Sequence, residues 1–434
     1  MKTPIVSILS TLAAAFAFFP DANAAPAAAS AASAVNAAAP APTILGVNDH
    51  ILYRTLDEHD AAFRIYAELG ARFLRINIDW ITLEPEQGKF SPARLENLDY
   101  FFGKTKQSRV RLLLSIAYAP AWANGGHQGG GYPPSNDETG RARYADFCEW
   151  LVRRYTAHKN LDGERVIEAI EIWNEPDLCD MFFKGYPRYS ADAARAYAAL
   201  VKTAGARLRK IRDELAAPDL LIGAPSISNL HSVQWAPQGQ TPWLGAFYED
   251  KEITGFYDVV TVHSYWENSG STGWLPPELP KVWSDDSAAT LKESVLGKIE
   301  NRIGITDGIS LRERMAAAGD GDKEIWLTEI GASARGELPA HKERMVSFAE
   351  QREHLADVVT VLRGGRVKNL RRVYWYELFD EPYARREQRY YGLLAFAEKL
   401  EAALPLNYEK GQPLTSALVE KPAAAVFRDA SVTP

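Results

Sequence analysis

Val166-Ile167-Glu168-Ala169-Ile170-Glu171-Ile172-Trp173-Asn174-Glu175-Pro176 is the stretch around which the chain is organised. Val166 to Ile170 is a short apolar run of the kind that forms a buried strand. Pro176 has no N–H to give a ladder, so strand pairing must stop there. The run therefore reads as a buried strand that ends abruptly and presents Asn174 and Glu175 at its C-terminal tip. In a parallel α/β barrel that tip is the catalytic face, which makes a carboxylate there a candidate acid or base. A bare Asn-Glu-Pro also suits an ordinary strand-to-helix turn. The preceding Ile172-Trp173 and the pattern of the rest of the chain decide against that.

Working outward, apolar strands alternate with amphipathic helices on both sides of this stretch, the signature of a parallel sheet with helices outside. Ile44–Val47 reads as strand one, followed by Asn48, Asp49 and His50 in its exit loop. A helix runs from Asp57 to Leu69 and stops at Gly70, placed to be its C′ glycine. Phe73–Ile78 is strand two, carrying Arg75 and Asn77, with Asp79 and Trp80 after it. A helix near Pro92–Phe102, strand three over Val110–Ile116 and a helix over Gly140–His158 precede the pivotal fourth strand. Ser190 or Asp192 caps a long helix to about Leu215. Strands five to eight fall at Leu220–Ala224, Val259–Val262, Ile325–Glu329 and Val373–Tyr376, with a helical span near Leu291–Met315. Eight such repeats in one chain imply an α/β fold, a (β/α)8 TIM barrel with a short C-terminal extension.

Residues 1–24 read as a signal peptide: Lys2, an apolar stretch from Ile5 to Phe19, and an Ala22-Asn23-Ala24 cleavage site. An uncleaved membrane anchor is the alternative. Residues 25–42 are almost only Ala, Ser and Pro, a disordered spacer. The barrel is expected over 43–400 and the extension over 401–434. The signal peptide implies a periplasmic or secreted protein with no membrane partner after cleavage. The formal charge is −7, and losing Lys2 with Asp21 leaves it there. That balance argues against nucleic acid and anionic membranes as partners. Eleven Trp and nineteen Tyr suit sugar rings and large cores alike, so they do not separate the two.

Glu175 and Glu329 stand at the tips of strands four and seven, on opposite sides of a barrel mouth. Two carboxylates flanking one bond are what glycoside hydrolysis needs: one protonates the leaving oxygen, the other attacks or activates water. Arg75 is placed to favour the ionised form of the strand-seven carboxylate, or to pair with Glu171 inside the barrel. Tyr265 is placed to donate to the same group, and Asn174 suits the hydroxyl next to the reacting carbon. The glycine run Gly125–Gly131 lacks a G-K-[ST] ending, so it is no phosphate cradle and reads as a mobile loop over the cleft.

Trp173-Asn174-Glu175-Pro176, Thr328-Glu329-Ile330-Gly331, His263-Ser264-Tyr265 and Trp375 together resemble the large clan of retaining (β/α)8 glycoside hydrolases. In that clan the Asn-Glu pair ending strand four supplies the acid/base and the Glu ending strand seven the nucleophile. The Ala119-Pro120-Ala121-Trp122-Ala123 and Glu84-Pro85-Glu86-Gln87-Gly88-Lys89-Phe90 runs are most similar to glycoside hydrolase family 39 and its endoglycosidase-like relatives. The clan resemblance covers about Ile44 to Leu394. It implies a polysaccharide or oligosaccharide substrate, catalysis by Glu175 and Glu329, and no cofactor. Asn174, Arg75, His50, Trp122, His263, Tyr265 and Trp375 are the expected substrate-binding residues. His263 fits a structural role in the cleft wall as well as a proton carrier, and Trp122 and Trp375 fit a core as well as a sugar platform. Members of family 39 usually carry a β-sandwich after the barrel, for which this sequence has no room.

Aromatics spread over the loops after strands three, four and six point to an open groove and endo action: Trp122, Tyr132, Phe182, Phe183, Tyr186, Trp266 and Trp274. If they pack the loops down instead, a pocket for one terminal sugar remains. A transglycosylase and a non-catalytic carbohydrate-binding barrel are the other classes the motifs allow. Glu377 and Asp380 lie past strand eight and fit either substrate binding or a helix cap. The basic run Arg363–Arg372 reads as a solvated face. Cys148 and Cys179 could bridge in an oxidising compartment, though spacing sets no distance between them. No His-x-His follows strand one and no Cys/His cluster exists, which argues against a metal-dependent barrel hydrolase.

Overall fold

Eight strands close in sequence order into an all-parallel barrel, β1-β2-β3-β4-β5-β6-β7-β8. The computed structural model describes residues 43–187, 190–228, 240–263, 265, 311–335, 345–363, 369–381, 389–396 and 418–432. The expected signal peptide and spacer lie outside these, as do Trp266 and Trp274. The strands are β1 (Ile44–Asn48), β2 (Phe73–Asp79), β3 (Arg111–Ala117), β4 (Ile167–Ile172), β5 (Leu221–Ile227), β6 (Val259–His263), β7 (Glu324–Ile330) and β8 (Leu370–Trp375). Each expected strand is present within a residue or a few at its ends. Around them lie α1 (Leu56–Leu69), α2 (Trp80–Leu83), α3 (Pro92–Thr105), α4 (Glu138–Tyr155), α5 (Ala191–Glu214), α6 (Trp243–Phe247), α7 (Leu311–Ala318) and α8 (Phe348–Arg363). Only the end of the span expected near Leu291–Met315 falls among the described residues. Among the described residues no helix is long and apolar enough to cross a membrane.

Local chemistry sets the element ends. Thr55 caps α1 through a full capping box with Glu58, and α1 closes on Gly70 in the left-handed conformation, φ 69°. Ser190 caps α5 by accepting from the Asp192 and Ala193 amides.

The pleat divides the strand residues into two sets, because successive side chains point to opposite faces. Leu74, Ile76, Leu112, Leu114, Ile170, Ile172, Val260, Val262, Val373 and Trp375 belong to the core shared with the helices. Leu113, Ala169, Val259, Trp326 and Tyr374 form a separate cluster inside the barrel. Below that cluster Glu168 meets Arg372 at 2.5 Å and Arg111 at 3.5 Å. Arg372 thus plugs the barrel floor instead of lying on a solvated face. Above the cluster, the inward positions turn polar, and that layer carries the site.

The C-terminal stretch belongs to the barrel more closely than a loose extension would. β9 (Leu394–Phe396) pairs antiparallel with β10 (Leu418–Glu420). The helix α9 (Pro422–Val432) then packs against α8, α1 and β1, in the place of the eighth barrel helix. Its Ala423, Ala424 and Phe427 are wholly buried. α9 lies within the stretch 401–434 read from the sequence as a C-terminal extension, and it is packed on the barrel. Cys148 and Cys179 are both free and buried. Burial pushes each thiol up to about 12, so both are inert packing groups.

Candidate active site

Glu175 reaches the mouth through an unusual turn. Trp173 and Glu175 both hold left-handed backbone, at φ 69° and 47°. Non-glycine residues take that conformation at a cost and need the surroundings to hold them there. Here the Trp173 indole is fully buried and donates to the Phe182 carbonyl at 2.6 Å, while the Glu175 amide donates to the Ser226 carbonyl on β5 at 2.9 Å. Pro176 stops the strand just beyond. The result is a carboxyl group swung over the barrel mouth.

Arg75, inward on β2, organises the layer beneath. It is 2% exposed and donates to Glu171 at 2.8 Å, Glu329 at 2.5 Å, Asn174 Oδ1 at 2.7 Å and Asn48 Oδ1 at 3.2 Å. The two options for Arg75 are both realised: it pairs with Glu171 and Glu329 at once. Burial opposes the charge on Glu171, but Arg75 outweighs it and holds that carboxyl below its ordinary range. Thr328 adds a hydrogen bond of 2.9 Å to the same group. Glu171 is thus the permanent counter-ion of Arg75. Glu329 takes a second donor from the Tyr265 hydroxyl. Two donors on its two oxygens suit a carboxylate kept as an anion.

Glu175 has a different environment. Its Oε1 lies 2.9 Å from His263 Nδ1, and among the described residues no arginine pairs with it. Burial pushes its pKa up to about 7, with Arg75 pulling down and Glu171 pushing up to a lesser degree. His263 is wholly buried, and that burial lowers its pKa, so the ring is neutral. Its Nε2 faces the Arg75 guanidinium at 3.5 Å, which can only donate, so the ring proton belongs on Nδ1. His263 then donates between the two glutamates, 2.9 Å from Glu175 and 3.5 Å from Glu329. One oxygen each of Glu175 and Glu329 and one His263 nitrogen all lie within 4.8 Å of one another. The same three groups could reach one metal ion, but Arg75 already supplies the positive charge beside them.

The remaining expected site residues divide. Asn174 and Tyr265 stand at the mouth, with the Asn174 carbonyl oxygen taken by Arg75. His50 is at the rim, its Nε2 3.2 Å from the Tyr376 hydroxyl and 3.5 Å from Glu377. Burial drops its pKa to about 4, leaving it neutral. Trp122 is a loop-packing residue: its indole donates to the Glu84 carbonyl at 3.0 Å and its ring meets Trp80 edge-on. Trp375 is fully buried among the helices. The pleat explains this, since Tyr374 points into the barrel and the next residue must point out.

By the same parity Tyr376 returns to the mouth, where its ring packs edge-on to Tyr265 at 5.9 Å and Tyr391 at 5.5 Å. Counting inward positions from Tyr374 would have found it. Glu377 is wholly buried, and among the described residues neither carboxylate oxygen has a hydrogen-bond partner. Tyr118, at the end of β3, faces both catalytic candidates closely enough to feel their charge.

No family model and no curated protein matches the chain by sequence. Solved structures match by shape. One is a family 39 glycoside hydrolase from the gut symbiont Bacteroides cellulosilyticus WH2, with TM-score 0.55 and 16% identity over 90% of this chain. The chain spans 64% of the length of that hydrolase. A second is a monomeric β-xylosidase from Caulobacter crescentus CB15, with TM-score 0.54 and 17% identity over 90% of this chain and 68% of that one. A third is a β-glucosidase from Exiguobacterium marinum, with TM-score 0.55 and 14% identity over 90% of this chain and 97% of that one. At these identities the likeness is one of fold.

Proposed function

We propose that the chain is a retaining glycoside hydrolase acting on a polysaccharide or oligosaccharide, with Glu175 as acid/base and Glu329 as nucleophile. The observation that carries this is the approach of the two carboxyl groups, with one oxygen of each within 4.8 Å of the other. Retaining enzymes hold the pair about 5–5.5 Å apart, and inverting enzymes need room for a water between them. The unequal surroundings support these roles. Glu175, up at about 7, keeps a proton for the leaving oxygen. Glu329, held by Arg75 and Tyr265, meets the sugar as a carboxylate. Attack by Glu329 forms a glycosyl ester while Glu175 protonates the departing oxygen. Glu175 then takes a proton from water as that water attacks the ester. The Asn174 oxygen is fixed by Arg75, which leaves its NH2 group for the neighbouring sugar hydroxyl. The family 39 hydrolase, the β-xylosidase and the β-glucosidase of the same fold support a carbohydrate substrate.

Endo action is our preference. Half-buried Phe182 lies beside Tyr118 at 5.8 Å, although Trp122 and Phe183 are committed to packing and Tyr132 stacks on His127. Exo action is favoured by those same two packed rings, and early product sizing separates the modes. A mixture of oligosaccharides with a fast fall in viscosity supports endo cleavage; a lone monosaccharide product removes it. Secretion through the Ala22-Asn23-Ala24 site is part of the proposal, and protein from the native host retaining Met1 would remove that part. The mechanism is tested by trapping. A 2-fluoro-glycoside inactivator should label Glu329, and azide should rescue Glu175→Ala on aryl glycosides but leave Glu329→Ala inactive. An inverted first product by NMR would end the double-displacement reading.

A further inference from the structure

The C-terminal segment reaches the catalytic face of the barrel through one buried cation. Lys421 stands between β10 and α9 and is 2% exposed. Its ammonium donates to the Ala334 carbonyl at 3.1 Å in the loop after β7. It also donates to the Tyr390 carbonyl at 2.8 Å and to Asp380 Oδ1 at 2.7 Å, both after β8. An ammonium has three protons to give, and these acceptors can take all of them. From the other side Gln351 on α8, wholly buried, donates to the Ala332 carbonyl at 2.9 Å and the Tyr391 carbonyl at 3.2 Å. Lys421 and Gln351 thus form a clasp that ties the loops after β7 and β8 together.

What the clasp holds lies against the nucleophile. The Tyr391 ring packs edge-on to Tyr265 at 5.7 Å and to Tyr376 at 5.5 Å. The same ring backs onto Gly331, two residues past Glu329, where a Cβ would lie 3.2 Å from it. Tyr265 in turn donates its hydroxyl to Glu329. Anchoring α9 to the barrel does not need a charge, because Ala423, Ala424 and Phe427 already bury against it. Taking an ammonium out of water is costly, and an apolar residue would fill the same place with no such cost. What the ammonium adds is direction: it fixes carbonyl and carboxylate groups on either side of the Tyr391 ring. We infer that Lys421 is a positioning residue, through which the C-terminal segment holds Tyr391 against Gly331 and Tyr265 and so keeps the Tyr265 hydroxyl on Glu329.

The rate readout rests on the glycosidase proposal, so it is paired with one that needs no turnover. In the full chain, Lys421→Met keeps the apolar stem and removes the ammonium. Wild type and variant labelled with 3-fluorotyrosine are compared by fluorine NMR, with Tyr265, Tyr376 and Tyr391 assigned by single Tyr→Phe changes. Lys421→Met should move or broaden those signals and leave Tyr100 on α3 and Tyr155 on α4 in place. On an aryl glycoside its kcat/KM should fall about tenfold, and labelling of Glu329 by the 2-fluoro-glycoside should slow by about the same factor. In a Tyr265→Phe background the same change should cost less than about twofold, because the hydroxyl it positions is gone. Losses that multiply in full across the two backgrounds would leave Lys421 a support of the fold alone and overturn the inference. If melting curves show that Lys421→Met does not fold, Tyr391→Leu replaces it in the same cycle, with the same coupling expected. Moved tyrosine signals in a chain whose wild type hydrolyses no glycoside would sustain the brace on Tyr265 and remove the hydrolase. Hydrolysis by wild type with those signals unmoved in the variant would overturn the brace.

Discussion

Glu175 and Glu329 are the same side chain made into different reagents by what surrounds each. Two donors hold Glu329, whereas Glu175 meets a neutral histidine and a buried wall. With its pKa raised to about 7, Glu175 is still protonated at mildly acidic pH and loses its proton as pH rises through that value. The acid form is the one needed for the first step, so kcat/KM should fall on the alkaline side with a midpoint near 7. The optimum should lie on the mildly acidic side of neutral. Rate profiles on a substrate with a poor leaving group will report this limb, and Glu175→Gln with an activated substrate should remove it. Undiminished kcat/KM at about pH 9 would count against a carboxylic acid in this role.

At the scale of elements, strand parity and close helix approach decide what a residue does. Trp375 and Tyr376 are neighbours in sequence yet serve opposite sides of β8. Trp375→Ala should cost about 3–5 kcal/mol of stability by urea unfolding, as for a large buried ring. Tyr376→Phe should leave stability close to wild type and raise KM, because its hydroxyl faces His50 in the mouth. The reverse pattern would mean the pleat has been misassigned. Gly205 on α5 supplies a second case. A Cβ there would sit 2.1 Å from the Phe256 carbonyl oxygen. Gly→Ala in an exposed helix gains about 1 kcal/mol, but forcing a helix off its backbone neighbour costs about 1–3 kcal/mol. Gly205→Ala should therefore destabilise on balance, and a rise in melting temperature would show that the contact yields easily.

The molecule as a whole carries an unusual load of buried acid. Burial raises Asp49, Asp79, Glu175, Asp177 and Glu377, the middle three to about 6, 7 and 7. A carboxyl whose folded pKa is raised binds its proton more tightly folded than unfolded, so its contribution is full below the unfolded value and lost as pH rises through the folded one. Buried His50, His59 and His354, lowered to about 4, act the other way as pH rises from there to about 6.5, so the net decline should appear between about pH 6.5 and pH 8, against the usual carboxylate trend. Glu171, held low by Arg75, works the other way only at more acid pH. Glu377 is the sharpest probe, with neither oxygen hydrogen-bonded among the described residues. Glu377→Gln should stabilise the fold at about pH 8 by about 1–3 kcal/mol and flatten the decline. Denaturant midpoints across pH will show it, and a midpoint that rises from about pH 6.5 to pH 8 in wild type would contradict the burial.

The barrel, its strand order and its two mouth glutamates were legible in the chain itself. Strand periodicity, the Thr55 and Ser190 caps and Pro176 act over a few residues, and such local rules leave a readable pattern. The double pairing of Arg75 and the neutral His263 between the glutamates arise from groups on β2, β4, β6 and β7, far apart in sequence. Only closure of the barrel brings them to one point. Trp375 looked like a sugar platform by chemistry, but the register of β8 turned it into the helix layer and brought up Tyr376. Residue type names the chemistry a position can do, and tertiary geometry decides which partners remain for it.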